Sequence, residues 1–344
     1  MKKETFFNLL RDVPKAELHI HLEAVLSKKT VRLFYERRFP EKSDEEAENE
    51  IEKIFAYSDL DGFIQAYLTV QDLYENVSDF DYAFSDLKDY LVRNGIVYAE
   101  VFASPSAFIK KGFYFSDMMA HYKRNIVKIK AETGIEVRLL VDVSRTFGEE
   151  NAMKNLQLLL AHRIPEIIGI GLGGSEQKGP AHLFGAVFEK ARENNLHTTA
   201  HAGEDVGASS IWDAINVLKT ERIGHGISAI EDEKLIDFLA QKKMALEICP
   251  TSNVFTKKYV KTLDSHPIRR FFDSGILVTI NSDDPLFFGV ELLDEYWRAY
   301  SEMGFSLQEL KTIVKNSFAA SFLPENKKMD FIGDVEKLFR VKEE

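Results

Sequence analysis

The sequence predicts a (β/α)₈ barrel, in which helices join and surround eight parallel strands. Two observations support this prediction. Short apolar runs rich in β-branched residues alternate with longer amphipathic stretches, and eight such runs occur, which is the number that closes a barrel. The runs lie at residues 16–22, 97–103, 137–143, 167–172, 197–202, 222–226, 245–249 and 277–281.

The stretches between these runs predict the helices. Apolar side chains recur at helical spacing in residues 181–194, 210–219, 231–242 and 266–274. Near the C-terminus, Ser306 is followed three residues later by Glu309, a capping box that predicts extra helices beyond the barrel.

A long insertion follows the first strand. Residues 23–96 exceed what one crossover helix requires, and they contain a second capping box, Ser43 with Glu46. Barrel loops that follow strands surround the active site, so we expect this insertion to form a helical lid. Because no linker interrupts the pattern, we interpret residues 1–344 as a single domain.

Composition limits the function. The net charge of −11 argues against a nucleic-acid surface, because phosphate binding needs clustered Lys and Arg. Cys249 is the only cysteine, so the chain can form neither an intrachain disulfide nor a cysteine-based zinc site. No run approaches the ~18 apolar residues of a membrane span. We therefore expect a cytoplasmic protein with a small-molecule substrate and no nucleic-acid or membrane partner; the oligomeric state stays open.

Histidines and an aspartate at strand ends predict a metal site. His19 and His21 share one face of the first strand, since successive side chains point to opposite faces. His201 ends the fifth strand and Asp283 follows the eighth. Three imidazoles with one carboxylate favour zinc, with iron(II) as a competitor. A second ion would need a bridging group on the fourth strand, where no lysine occurs before Lys178, so we expect one Zn²⁺ per chain.

Three further residues at these strand ends are candidates for catalysis. Metal-assisted hydrolysis needs a metal-bound hydroxide with a group that aligns it, and an acid that protonates the substrate so that negative charge does not build up on it. Asp284 and His225 are both available for the first role, and Glu204 for the second. We expect burial to raise the pKa of Glu204. The plainer alternatives are a helix-capping acid for Glu204 and a core histidine for His225.

Six motifs in this order resemble the adenosine deaminase family of the amidohydrolase superfamily, and the resemblance covers nearly the whole chain. The motifs are Pro-Lys-Ala-Glu-Leu-His-Ile-His-Leu-Glu at 14–23, Gly-Gly at 173–174, His-Ala-Gly-Glu at 201–204, Arg-Ile-Gly-His-Gly at 222–226, Cys-Pro-Thr-Ser-Asn at 249–253 and Ser-Asp-Asp-Pro at 282–285.

The resemblance implies a role for each site residue. It implies zinc binding by His19, His21, His201 and Asp283. Glu204 would protonate a purine ring nitrogen, and His225 would position the attacking hydroxide. Asp284 would accept from that hydroxide and lie against purine N7, and the backbone N–H of Gly174 would face purine N3. The implied reaction is hydrolysis of a 6-aminopurine nucleoside, adenosine or deoxyadenosine, to inosine or deoxyinosine and ammonia.

The sequence departs from the family pattern around the sugar. Glu23 stands where the family's aspartate reaches the ribose 5′-hydroxyl, and Gly171 and Ser175 replace aspartates. An alternative substrate is therefore a 5′-modified adenosine such as aminodeoxyfutalosine, or adenine itself. From other classes, a different barrel metallohydrolase predicts a second metal, and a catalytically idle binding protein predicts the loss of a ligand or of the acid.

Overall fold

The computed structural model describes residues 1–58, 60–256 and 258–343, and eight parallel strands in chain order form its barrel. They are β1 (Lys15–His21), β2 (Ile96–Ala103), β3 (Glu136–Asp142), β4 (Ile167–Gly171), β5 (His197–Ala202), β6 (Arg222–His225), β7 (Ala245–Ile248) and β8 (Leu277–Ile280). The predicted (β/α)₈ barrel is confirmed, and each strand boundary lies within one residue of the predicted run.

Backbone hydrogen bonds close the barrel between its first strand and the residues after its last. The N–H of His21 donates to the carbonyl of Asp283 at 3.1 Å, and the N–H of Asp283 donates to the carbonyl of His19 at 3.1 Å. This pairing continues the parallel ladder beyond β8. Barrel closure therefore places Asp283 beside the two histidines of β1.

Helices surround the barrel and extend beyond it. They are α1 (Lys3–Arg11), α2 (Lys28–Arg38), α3 (Asp44–Ile54), α4 (Leu60–Asp72), α5 (Phe80–Arg93), α6 (Pro105–Lys110), α7 (Phe115–Thr133), α8 (Gly148–Ala161), α9 (Gly185–Glu193), α10 (Ala208–Asp213), α11 (Glu233–Lys242), α12 (Pro250–Thr256), α13 (Ile268–Asp273), α14 (Pro285–Phe288), α15 (Leu292–Ser301), α16 (Leu307–Ala320) and α17 (Glu325–Glu343). In the described part of the chain, none of them combines the length and apolarity needed to cross a bilayer.

The insertion after β1 forms helices α2 to α5, and α4 covers the C-terminal end of the barrel. Phe63 of α4 stacks on Phe288 with ring centroids 5.1 Å apart, and Tyr67 stacks on Phe287 at 5.3 Å. Both partners lie on α14, which directly follows the loop after β8. Aromatic packing thus fixes the insertion across the mouth of the barrel.

Capping explains where two of the predicted helices begin. Ser43 accepts from the N–H of Glu46 and Glu46 accepts from the N–H of Ser43, so α3 begins with a complete capping box. Ser306 and Glu309 form the same pair at α16. Helix α16 then packs against β1 and β8, which ties the C-terminal helices to the point where the barrel closes.

A buried ion cluster fills part of the barrel interior. Arg222, the first residue of β6, donates to Glu100 Oε2 at 2.5 Å and to Glu247 Oε1 at 2.6 Å. The three side chains are at most 2% exposed. Charges at this depth are tolerated only when each is paired and hydrogen-bonded. Arg222 is therefore the shared counterion of two carboxylates that come from opposite parts of the barrel.

Replacing Arg222 by Met should lower the free energy of unfolding by about 3–5 kcal/mol, because two carboxylates would stay buried without a counterion. Arg270→Met is the matched control, since Arg270 pairs with Glu233 on the surface, where both side chains are more than half exposed; the expected change there is below about 1 kcal/mol. Chemical denaturation of both variants measures the difference. Equal losses would show that the buried cluster does not stabilise the barrel.

Candidate active site

Four side chains at the C-terminal end of the barrel converge on one point. His19 and His21 lie on β1, His201 lies on β5 and Asp283 follows β8. The Nε2 atoms of His19 and His201 are 3.0 Å apart. Asp283 Oδ1 lies 3.4 Å from His19 Nε2 and 3.3 Å from His21 Nε2. The structure thus brings together all four residues that the sequence predicts as metal ligands, with one ligand atom from each within 4.8 Å of the others.

The spacing and chemistry of these atoms fit a zinc ion. Ligands about 2.1 Å from a tetrahedral zinc lie about 3.4 Å from one another, close to the separations between Asp283 and the two β1 histidines. Burial, together with the charge of neighbouring histidines, lowers the pKa of His201 well below its ordinary value. Its ring therefore keeps the lone pair that a metal ligand needs.

Cys249 lies close enough to be compared as a ligand. With His19, His225 and Asp283 it forms a second group whose ligand atoms lie within 4.8 Å of one another. Burial raises the pKa of its thiol well above the ordinary value, and its Sγ lies 3.6 Å from the carbonyl oxygen of Glu247. The three-histidine group is the better site, because three imidazoles with one carboxylate are a ligand set that suits zinc.

A buried carboxylate orients His19 from behind. His19 Nδ1 lies 2.7 Å from Glu247 Oε2, so an N–H at that atom donates to Glu247 and leaves the Nε2 lone pair facing the other ligands. Carboxylate partners of this kind fix the ring and increase its basicity as a ligand. Sequence reasoning missed Glu247, although a lone glutamate inside the buried strand β7 was an available signal.

The three candidate catalytic residues surround the same point. His225 Nε2 lies 3.5 Å from Glu204 Oε2 and 3.9 Å from Asp283 Oδ2. Burial, and then the charge of Asp283, raises the pKa of Glu204 well above its ordinary value. Glu204 can therefore carry a proton at neutral pH. The same two causes raise the pKa of Asp284, and a cation at the ligands would offset the repulsion from Asp283.

Backbone conformation at two of these residues is unusual. His225 has φ 61° and Asp283 has φ 63°, in the left-handed region that side-chain-bearing residues seldom adopt. Such conformations cost about 1–3 kcal/mol each and cluster at functional sites. Next to His225, a Cβ on Gly224 would lie 2.8 Å from His19 Cε1. Glycine at this position therefore leaves room for the first ligand.

A buried glutamate, also missed by sequence reasoning, fixes the loop that carries Glu204. Glu176 accepts from the backbone N–H groups of Gly203, Glu204 and Asp205 at 2.9, 2.8 and 3.1 Å. Glu176 is 2% exposed. Three backbone donors on one carboxylate leave the loop after β5 little freedom, so the Glu204 side chain starts from a fixed position.

The loop after β4 presents Gly174 to the cavity beside Glu204. Gly174 has φ 98°, and a Cβ there would lie 2.6 Å from Thr146 Oγ1. Both the conformation and the space require glycine. At the end of β4, a Cβ on Gly171 would lie 2.5 Å from the ring of Phe102, and that ring stacks on His21 with centroids 5.1 Å apart. With the Phe102 ring in this position, a larger side chain has no room at Gly171.

Glu23 lies behind the cavity wall with both carboxylate oxygens engaged. Oε1 accepts from the backbone N–H of Ser104 at 2.9 Å, and Oε2 accepts from the hydroxyl of Tyr67 at 3.1 Å. Glu23 is 1% exposed, and burial raises its pKa. Glu23 therefore joins the insertion to β2, and it is less free to bind substrate than the sequence suggested.

One cavity contains three of the predicted metal ligands and the candidate catalytic residues in its lining, which has an inner and an outer part. The inner part contains His21, His201, Glu204, His225, Asp283, Asp284 and Gly174. The outer part contains Phe63 and Gln71 of α4, Ala107 of α6 and Phe147 before α8. The cavity thus extends from the ligand cluster to the helices outside the barrel mouth.

A family model described as adenosine deaminase matches residues 14–338, nearly the whole chain. The chain belongs to the adenosine deaminase family. Enzymes of this family are metal-dependent, in agreement with the four converging ligands. The chain is accordingly a hydrolytic aminohydrolase that acts on a purine C–N bond, which removes the alternatives of an unrelated metallohydrolase and of an idle binding protein.

Relatives within the family carry two different names. The chain is 34% identical over 334 residues to an adenine deaminase of Acinetobacter baylyi, covering 96% of this chain and 98% of that protein. It is 35% identical over 318 residues to an aminodeoxyfutalosine deaminase of Streptomyces avermitilis, covering 92% and 88%. The crystal structure of an adenine deaminase from Arthrobacter aurescens superimposes with a TM-score of 0.90 at 29% identity, covering 95% of this chain and 99% of that one.

Glu247→Gln should weaken zinc binding about 10- to 100-fold, because His19 would lose its charged partner. The measurement is zinc retention in competition with a chelator of known affinity. Glu295→Gln is the matched control: Glu295 is fully buried, but it accepts from the N–H of Thr251 at 3.0 Å rather than from a ligand. Equal zinc affinity in the two variants would refute the role given to Glu247.

Proposed function

We propose that the chain is a deaminase that uses one zinc ion and acts on a 5′-modified adenosine of the aminodeoxyfutalosine type. The supporting observation is the outer part of the cavity, which a free base would leave empty. The sequence by itself favours adenosine or deoxyadenosine and gives the 5′-modified nucleoside as an alternative. Adenine is the second candidate, supported by the names of several relatives and of the superimposed crystal structure.

The cavity supports a substrate larger than a purine. A purine held between Glu204, Gly174 and Asp284 occupies the inner part of the lining. The wall formed by Gln71, Ala107 and Phe147 then remains for a substituent on the sugar side. Polar side chains also line the cavity: Ser104 Oγ donates to Asp142 at 3.2 Å.

The hydrogen bonds of Glu23 argue against unmodified adenosine as the substrate. In the family pattern, an acid at this position binds the 5′-hydroxyl. Here Ser104 and Tyr67 each donate to one oxygen of Glu23 and hold the carboxylate where it does not line the cavity. A substrate whose 5′ substituent contacts the outer wall does not depend on that carboxylate.

Each residue of the site has a separate role in the proposed deamination. His19, His21, His201 and Asp283 would hold the zinc ion, which when bound lowers the pKa of a water molecule and makes it a nucleophile near neutral pH. Glu204 donates its proton to the purine ring nitrogen as the water oxygen bonds to C6. His225 and Asp284 orient the water; one of its protons passes to the departing amine, and the other restores the proton of Glu204. The C6–N bond breaks, and a 6-oxopurine and ammonia leave.

The remaining sequence predictions are part of the same proposal. The chain acts as one catalytic domain over residues 1–344, since the site draws on β1 and on the residues after β8. The cytoplasmic location stays a prediction.

Glu204→Gln should retain zinc and lose about 10²-fold or more in kcat, because the amide cannot supply the proton. Steady-state ammonia release together with zinc analysis of the same preparation tests this. Near-normal turnover at full zinc occupancy would remove Glu204 from the role of proton donor.

Zinc-reconstituted protein should release ammonia fastest from the 5′-modified nucleoside. The panel contains aminodeoxyfutalosine, methylthioadenosine, adenosine, deoxyadenosine, AMP and adenine, and chelation should abolish every activity. We expect kcat/KM for aminodeoxyfutalosine to exceed that for adenine by about tenfold or more. A higher kcat/KM for adenine would favour adenine as the substrate.

Ala107→Phe tests the outer wall directly, because the larger ring would fill it. The variant should lose about tenfold or more in kcat/KM for the 5′-modified nucleoside and keep its rate with adenine. Ala120→Phe places the same ring on the exposed face of α7 and should change neither value. Equal losses on both substrates in Ala107→Phe would show that the outer wall does not contact the substituent.

A further inference from the structure

We propose that Asn253 and His266 are positioning residues that hold His225 in the tautomer with its proton on Nε2, the nitrogen that faces the reaction centre. Neither residue lies on a barrel strand: Asn253 belongs to α12, and His266 precedes α13. The inference rests on the proposed function for its catalytic consequence, whereas the tautomer itself can be observed without substrate.

The direction of this hydrogen-bond chain is set by a backbone group. The N–H of Ile268, at the start of α13, donates to Nδ1 of His266 at 3.0 Å. A backbone N–H can only donate, so Nδ1 of His266 must accept. Burial lowers the pKa of His266 to about 3, so the ring is neutral and its single proton lies on Nε2.

The amide of Asn253 passes this direction on. His266 Nε2 lies 3.2 Å from Asn253 Oδ1, and the N–H there requires the amide oxygen as its acceptor. The amide nitrogen is thereby turned toward His225, where Nδ2 lies 3.0 Å from Nδ1. Since the amide group donates, Nδ1 of His225 must accept and cannot carry a proton.

Burial makes this relay rigid. Asn253 is fully buried, and His225 and His266 are 1% and 4% exposed. Turning the amide over would set N–H against N–H at His266 and leave buried polar groups unsatisfied at both ends, which is unfavourable. The positive φ of His225 is a further backbone constraint on the direction in which its side chain leaves the main chain.

The sequence left both His225 and Asp284 as candidates for aligning the attacking water. The tautomer of His225 distinguishes their roles. Nε2–H of His225 is a donor toward Glu204 and Asp283, which lie 3.5 and 3.9 Å away. A nitrogen that already holds a proton cannot take another from the attacking water while the ring stays neutral. His225 therefore orients the water oxygen by donating to it, and Asp284 is left to accept the proton.

Asn253→Asp tests the relay because it keeps the shape of the side chain and removes its donor. A carboxylate facing Nδ1 accepts a proton there, so His225 should switch to the Nδ1–H tautomer. We expect kcat to fall about 10²-fold or more, with KM and zinc occupancy little changed, as when a catalytic histidine is held in the wrong tautomer. Asn316→Asp is the matched control, since Asn316 donates to the carbonyl of Val278 at 3.1 Å and should keep the wild-type kcat.

Imidazole nitrogen NMR of the full chain labelled with ¹⁵N-histidine gives a readout independent of activity. Signals are assigned by loss in His225→Gln and His266→Gln. In zinc-loaded wild-type protein, both His225 and His266 should be protonated at Nε2 and bare at Nδ1, and Asn253→Asp should move the His225 proton to Nδ1. If Asn253→Asp fails to fold, the wild-type spectrum still decides.

Two outcomes would overturn the proposal: a proton on Nδ1 of His225 in wild-type protein, or a wild-type kcat in a zinc-loaded Asn253→Asp whose His225 has switched tautomer. As a second perturbation, His266→Gln keeps an amide donor and should retain more of the wild-type kcat than His266→Phe, which keeps none. The reverse order would count against the relay. Absence of deaminase activity in wild-type protein with the expected spectrum would reject the proposed function and leave the tautomer assignment standing.

Discussion

The hydrogen bond between His19 and Glu247 joins the two halves of the barrel interior, and the site depends on it. On one side, Glu247 shares the buried cation of Arg222 with Glu100. On the other, His19 Nε2 meets His201 and Asp283. Because Arg222 neutralises Glu247, that carboxylate can stay ionised at full burial and keep the proton of His19 on Nδ1. The ligand geometry at the mouth is therefore built on an ion pair deeper in the barrel.

The two halves differ in how their polar groups are satisfied. In the ion cluster, each carboxylate oxygen of Glu247 has a protein partner, Arg222 or His19. In the cavity, Asp284 Oδ1 and His201 Nδ1 are buried without a hydrogen-bond partner among the described residues. In the same cavity, burial raises the pKa of Glu204 well above its ordinary value. A buried carboxylate oxygen without a protein partner is available to a ligand, which agrees with the place of Asp284 in the cavity lining.

Sequence reasoning succeeded where local pattern and barrel topology were sufficient. Periodicity located the strands, and the rule that barrel sites lie at the C-terminal strand ends gathered His19, His201 and Asp283 from distant parts of the chain. It missed Glu247 and Glu176, because their roles depend on which atom each carboxylate faces across the barrel. Asn253 lay inside a recognised motif, but its function follows from a hydrogen bond to His266, thirteen positions away, that the sequence does not reveal.

Substrate choice within this family depends on residues outside the shared chemistry. The relatives named adenine deaminase and aminodeoxyfutalosine deaminase are almost equally similar to this chain, at 34% and 35% identity, so overall identity cannot separate the two substrates. The ligands and Glu204 serve the 6-aminopurine in either case. In the proposed function, the 5′ substituent would meet α4, α6 and the loop before α8, which do not carry the predicted metal ligands and can change without disturbing them. On this proposal, a few contacts decide specificity: the Tyr67 hydroxyl holds Glu23 away from the sugar side, while the reaction centre stays the same.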